Sequence, residues 1–354
     1  MQMDGKGRRL IAVALACAVM LLLGACTGKK QAEPSVQKEE KTASKTLEIG
    51  MSFDSFVIER WMRDRDVFVS AAEELGAEVN VQNANGDVEQ QIEQIEYFIQ
   101  KKVDVIVIIA IDGEALQEVV NKARTAGIKV VCYDRLIRGA QTDLYISFDN
   151  EKVGFLMGQA LRDALPDGGT IFAIYGSESD HNVTLVRQGL DEALKESGLE
   201  IVYSAFCRNW LAELAFVAVN EGLEQTGSVD GIMCGNDELA SQAIRALAEH
   251  RLAGKVKVVA QDAELSACQR IVEGTQEMTV FKSVDQLAVQ AAKLSVALGL
   301  GEEISAEETI DYGAGLVPYV RIEPVAVTAK NMDETIIESG FHRKEDVYLN
   351  VNGS

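Results

Sequence analysis

The sequence predicts an α/β protein built as two doubly wound, Rossmann-like lobes. Three observations point there. Short apolar runs alternate with amphipathic stretches of helical period from residue 47 to residue 301, the pattern of successive right-handed βαβ units. This alternation gives about ten strands, more than one compact open sheet of this kind takes. The chain has 354 residues, room for two domains at roughly 150 residues each.

The elements follow in order. Residues 47–53 are a short apolar run, and residues 59–76 place Trp61, Met62, Val67, Phe68, Ala71, Ala72 and Leu75 at helical spacing before Gly76. Residues 77–82 alternate as a strand does. Residues 87–102 are helical again, with Ile92, Ile95 and Ile99 on one stripe. Residues 103–110 form a continuous apolar run, as expected of a strand covered on both faces, and 113–127 with 128–134 repeat the unit. The second half does the same. Helices are expected at 150–165, 183–198, 212–227, 237–254, 264–275 and 284–301, and strands at 168–176, 199–206, 229–236, 255–261 and 278–282.

The first residues read as an address. Lys6, Arg8 and Arg9 precede an apolar run from Leu10 to Ala25, shorter than the ~20 residues a spanning helix needs and typical of a secretory signal. The run ends in Leu23-Gly24-Ala25-Cys26, which resembles a lipoprotein signal box with Cys26 as the lipidated residue. The polar stretch after it, rich in Lys, Glu, Ser and Thr, cannot bury a core and reads as a flexible tether. The expected organisation is a signal over 1–25, a tether over 26–46, a first lobe of 47–148 plus 286–312, a second lobe of 149–285 plus 313–345, and a tail over 346–354.

Composition excludes several classes. Acidic residues outnumber basic ones 55 to 34, for a net charge of −21, so a nucleic-acid partner is not expected. Three histidines leave little room for a histidine-rich metal site, no zinc pattern occurs, and no cofactor is expected. Cys132 and Cys234 lie in apolar strand-like runs and read as buried thiols, although spacing cannot give the pairing of Cys132, Cys207, Cys234 and Cys268.

Open α/β sheets bind ligands beyond the carboxyl ends of their strands. The residues expected there are Asp54 with Arg60 and Trp61, Asp134 with Arg135, Asp149 with Asn150, Asp180 to Asn182, Arg208 to Trp210, Asn236, Asp262 and Lys282. A carboxylate accepts from a sugar hydroxyl, Arg or Lys donates to it, and an amide does both, while a tryptophan face covers the apolar face of a pyranose ring. A phosphate site would use a glycine-rich loop at a helix start, and neither G-x-G-x-x-G nor G-x-x-x-x-G-K-[ST] occurs.

Several stretches resemble the D-xylose-binding proteins of bacterial ABC sugar importers, in the ribose/galactose-binding branch of the type I periplasmic binding proteins. They are ERWMRDRD (59–66), NANGDVEQQIEQIE (83–96), YDRLI (133–137), YISFDNEKVG (145–154), AQDAEL (260–265), GTQEMTVFK (274–282) and ESGFH (338–342). The resemblance runs from about Leu47 to His342. It implies sugar contacts at Arg60, Trp61, Asp134, Arg135, Asp180, Asn182, Trp210, Asn236, Asp262 and Lys282. The family's Asp-Asn-Asn segment is kept at Asp180 and Asn182 but departs at His181. The resemblance further implies three chain crossings, near Phe148-Asp149, Ser283-Asp285 and Asp311-Gly313, that let the lobes hinge over a sugar. It also implies a monomer delivering its sugar to a membrane permease, while the signal box, which differs from family members that float free in a periplasm, points to a lipid-anchored protein in the periplasm or on the outer face of the cell membrane.

Each residue also has a plainer reading. Glu59 and Arg60 suit an exposed helix start, Trp61 suits core packing, and Asp134-Arg135 suits a surface turn. Asp149 and Asp237 suit helix caps, with Asn236 left to face the cleft. Lys282 suits a solvated lysine, and His181 a solvent-facing one. Paired carboxylates such as Asp180 and Asp262 are compatible with glycoside cleavage, but no G-x-S-x-G, H-E-x-x-H or convincing Ser-His-Asp set occurs. The expectation is a binding protein rather than an enzyme, with a sugar-sensing receptor domain as the alternative.

Overall fold

The computed structural model describes residues 46–351. The signal, Cys26 and all but the last residue of the tether lie outside the described residues. Among the described residues no helix is long and apolar enough to cross a membrane.

Two sheets organise the body. In the first, β1 (Leu47–Phe53), β2 (Ala77–Asn83), β3 (Val105–Ile108), β4 (Lys129–Tyr133) and β5 (Leu144–Phe148) run parallel, joined by β11 (Glu308–Asp311) and β12 (Leu316–Ile322) in the order β11-β12-β5-β4-β3-β1-β2. In the second, β6 (Gly169–Tyr175), β7 (Leu199–Phe206), β8 (Gly231–Cys234), β9 (Lys257–Gln261), β10 (Met278–Phe281) and β13 (Val325–Val327) take the order β13-β10-β9-β8-β6-β7. The first five strands of each lobe share one doubly wound order, whose reversal sets a ligand crevice at the strand ends. All four residues of β3 and of β8 are buried, which explains their unbroken apolar sequence.

Helices cover both sheets and begin at the strand ends. α1 (Arg60–Glu74) follows β1, and α2 (Val88–Lys101) starts at Asp87, whose side chain accepts from the N–H groups of Glu89 and Gln90. In the second lobe, α4 (Asn150–Ala164) and α5 (His181–Leu194) touch at backbone distance. A methyl group at Gly154 would overlap the Val186 carbonyl, and one at Gly189 the Glu151 carbonyl. α9 (Val284–Gly299) returns to the first lobe and packs on α1.

The chain passes between lobes after Phe148, again between Phe281 and Val284, and a third time between Ile322 and Val325. The third crossing corrects the sequence reading, which puts it near Asp311-Gly313 and gives 313–345 to the second lobe. Residues 312–315 are instead a tight hairpin turn. Gly313 (φ +94°) and Gly315 (φ +155°) supply its left-handed backbone, Tyr312 N–H donates to the Gly315 carbonyl at 3.0 Å, and β12 pairs with β5 in the first sheet. The expected tail boundary at residue 346 also moves. α10 (Lys344–Val347) buries Val347 beside Cys268, Ile271 and Phe281, and Gln269 Nε2 donates to the Asp346 carbonyl at 2.8 Å.

All four cysteines among the described residues are buried free thiols. Burial raises each of them, Cys132 to about 11 and Cys207 to about 12.

Candidate functional site

The ten residues expected to bind a ligand line one cavity between the lobes, with Ile58, Asn150 and Gln261 completing its wall. The non-atom space among these residues, open solvent at the mouth included, is about 330 Å³.

Arg60 opens α1 and is 7% exposed. The fully buried Asp64, one helical turn on, accepts from its Nε and Nη2, both at 3.0 Å. The Tyr133 hydroxyl donates to the same carboxylate at 2.5 Å. Arg60 Nη1 then lies 3.1 Å from Asp134 Oδ2 at the cavity wall. Burial pushes Asp64 up against the pull of Arg60. Burial also opposes ionisation of Asp134, but Arg60, Lys282 and Arg135 outweigh it and hold that carboxyl below its usual range.

Arg135 joins the two lobes. Its Nη1 donates to Asp54 Oδ2 at 2.7 Å in the first lobe, and its Nε lies 2.8 Å from Asp180 Oδ2 in the second. Burial raises both carboxyls, against the pull of Arg135. Asn182 crosses the same gap to Asp134, and Ser179 Oγ donates to the Ile111 carbonyl at 3.3 Å. At the lip, Glu59 N–H donates to Glu238 Oε1 at 3.1 Å.

Both tryptophans of the chain line the cavity. Trp61 serves the core and the cavity at once: it is 2% exposed, and the guanidinium carbons of Arg60 and Arg135 lie 4.5 and 5.6 Å from its ring centre. Trp210 sits at φ +57° after Asn209 at φ +55°. A methyl group at Gly176 would overlap its ring, so the glycine lets indole and backbone meet.

Four plainer readings fail, the first that of an exposed helix start, because Glu59 is exposed but Arg60 is not. Lys282 is 5% exposed and 2.7 Å from Asp262 Oδ1, not solvated. Asp134 and Arg135 are each 4% exposed, not a surface turn. The cap of α7 (Asp237–Glu249) is Asn236, whose Oδ1 accepts from Leu239 N–H at 2.9 Å, while Asp237 lies fully buried. Asp149 does cap α4, by accepting from Lys152 N–H. His181 is half-buried beside the cavity rather than in its wall, and its ring is held down by burial and then by Arg138.

Four buried wall atoms have no partner, neither a hydrogen bond nor an ion pair. The donors are Trp61 Nε1, Trp210 Nε1 and Asn236 Nδ2, and the acceptor is Gln261 Oε1, while Asp134 Oδ2 and Asp262 Oδ1 face only Arg60 and Lys282. Buried polar groups without partners are rare, so a set converging on one space marks a place for a polar guest. The ionic wall residues balance, with Arg60, Arg135 and Lys282 against Asp134, Asp180 and Asp262. That balance favours an uncharged guest that both donates and accepts.

Comparison with known proteins agrees with this geometry. Residues 49–303 match the periplasmic binding protein domain family. A D-xylose-binding periplasmic protein of Haemophilus influenzae is 44% identical over 310 residues, covering 86% of this chain and 93% of that protein. One from Escherichia coli K12 is 43% identical over 309 residues, with the same coverage. A crystal structure of an ABC transporter solute-binding protein from Clostridium phytofermentans with bound β-D-glucose superposes with a TM-score of 0.78 at 28% identity, covering 85% of this chain and 99% of that one. With its two like-wound sheets, its three crossings and a polar cavity between the lobes, the chain belongs to the periplasmic binding protein family.

Proposed function

We propose that this chain is the substrate-binding component of an ABC sugar importer, and that it takes D-xylose, or a similar aldopentose or aldohexose, between its lobes. The observation that carries the reading is the convergence of three unpartnered N–H donors from both lobes and the Gln261 Oε1 acceptor on one charge-balanced cavity. Each sugar hydroxyl can accept from an indole or amide N–H and donate to a carboxylate or to Gln261 Oε1. The likeness to two D-xylose-binding proteins supports the choice of pentose.

The mechanism is closure. A sugar bonded to both half-sites stabilises the closed state by its differential affinity for it. Excluding water then strengthens every polar contact in the cavity. The protein performs no chemistry on the sugar. A membrane permease reads the closed surface, and a lipid on Cys26 keeps the monomer beside it while the acidic exterior keeps it soluble.

Titration calorimetry of the purified mature chain against a panel of pentoses and hexoses tests the reading. Xylose binding with one site per chain is expected, and heatless titration against the whole panel removes the proposal. Loss of membrane retention on Cys26→Ala tests the anchor.

A further inference from the structure

One buried carboxylate beneath the second-lobe wall has no part in the closure described above. Asp237 is fully buried and does not line the cavity. It is not needed as a cap, because Asn236 already caps α7. Instead it collects donors from three segments. Its Oδ2 accepts from Thr279 Oγ1 at 2.7 Å and from Glu264 N–H at 3.1 Å, and its Oδ1 accepts from Gln276 Nε2 at 2.8 Å. Its backbone carbonyl accepts from Arg270 Nη2 at 3.2 Å, and Arg270 Nε also steadies Gln276 Oε1 at 3.0 Å.

These bonds converge on the turn that presents Asp262. Thr279 Oγ1 accepts from Ala263 N–H at 3.1 Å, so its own proton is directed to Asp237. Both backbone N–H groups after Asp262 therefore end on Asp237, one directly and one through Thr279. That turn is strained: Asp262 has φ +104° and Ala263 φ +54°. Side-chain-bearing residues hold such backbone only where the surroundings over-determine it. The strained turn carries Asp262 into the cavity wall, 2.7 Å from Lys282.

We propose that Asp237 is a positioning residue for sugar recognition, its carboxylate pinning the turn over residues 262–264 so that Asp262 faces the ligand. The inference rests on the proposed function and goes beyond it by naming a residue that touches no sugar. Every hydrogen bond to the Asp237 carboxylate is donated to it, so an asparagine would set its own N–H against one of these donors.

The test is a double-mutant cycle on the full chain, read as xylose affinity by calorimetry. Asp237→Asn is expected to weaken binding about tenfold when Asp262 is intact and by under about threefold in an Asp262→Asn background, the non-additivity of residues acting as one unit. Equal losses in both backgrounds would make Asp237 a support of the fold alone and overturn the proposal. Thr279→Val removes the relay without adding bulk and decides the matter if Asp237→Asn does not fold. A loss seen only when Asp262 is intact supports the proposal, and undiminished affinity overturns it. Wild-type protein that binds no sugar, while folded, overturns the proposed function itself, a result distinct from a binding protein indifferent to Asp237→Asn.

Discussion

Asn182 Nδ2 donates to both the backbone carbonyl and Oδ1 of Asp134, each at 3.0 Å, so a second-lobe amide grips a first-lobe cavity residue directly. Tyr145 OH donates to Asn182 Oδ1 at 3.3 Å from beneath. The closed arrangement thus has protein-to-protein ties besides any that run through a guest.

Asn182→Ala removes those ties and leaves Asp134 less well held. The unliganded protein is expected to shift toward open forms, seen as a larger radius of gyration in solution scattering. Xylose affinity should fall about five- to thirtyfold, the effect of ~1–2 kcal/mol. An unchanged radius together with unchanged affinity would show that the bridge is incidental.

Both tryptophans line the cavity, so intrinsic fluorescence reports its occupancy. Gly176→Ala forces the Trp210 ring away from its backbone seat. Weaker xylose binding with an altered emission maximum is expected, measured by fluorescence titration beside a thermal melt.

Asp64 holds Arg60 from behind the wall. Asp64→Ala leaves a buried guanidinium with Asp134 as its remaining ion partner, and breaking a buried pair costs ~3–5 kcal/mol. Urea denaturation should show a loss of that order, and a loss below ~1 kcal/mol would mean that water enters to replace the carboxylate.

Glu264 gives the pH dependence its sign. Burial, then the neighbouring Asp237, Asp262 and Glu238, push its carboxyl from an ordinary 4.5 up to about 10. Burial likewise raises Glu238 to about 7. The folded state then binds protons that the unfolded state releases, so their contribution is complete below pH ~4.5 and declines as pH rises, through about 7 for Glu238 and about 10 for Glu264. Glu264→Gln, neutral at every pH, should flatten the fall of melting temperature between pH 6 and 9. A steeper fall in the variant would contradict this.

Much of the architecture is legible because a parallel sheet announces itself twice, in apolar strands and in polar residues at one set of ends. Position in the chain alone brings Asp134, Trp210 and Asp262 to the same opening. The third crossing is not legible. Gly313 and Gly315 punctuate the chain as a boundary would, and Pro318 interrupts the strand that follows, so a hairpin reads as a change of lobe. Gln261 escapes because it ends a strand whose neighbour, Asp262, carries the stronger signal, and Asn150, placed at the strand ends, is set aside with Asp149, which suits a helix cap. Asp64 and Asp237 escape for another reason. Their partners Tyr133 and Thr279 lie 69 and 42 residues away in sequence, and only tertiary packing brings them together.

Three crossings mean that neither lobe is one continuous stretch of polypeptide. Synthesis from the amino end leaves the first sheet without β12, and α1 without its cover α9, while the whole second sheet short of β13 is being made. The first lobe cannot finish until Ile322 has emerged, nor the second until Val347. Such late closure of distant contacts slows folding, and a slow-folding thread stays slender enough to pass a narrow translocation channel before it sets.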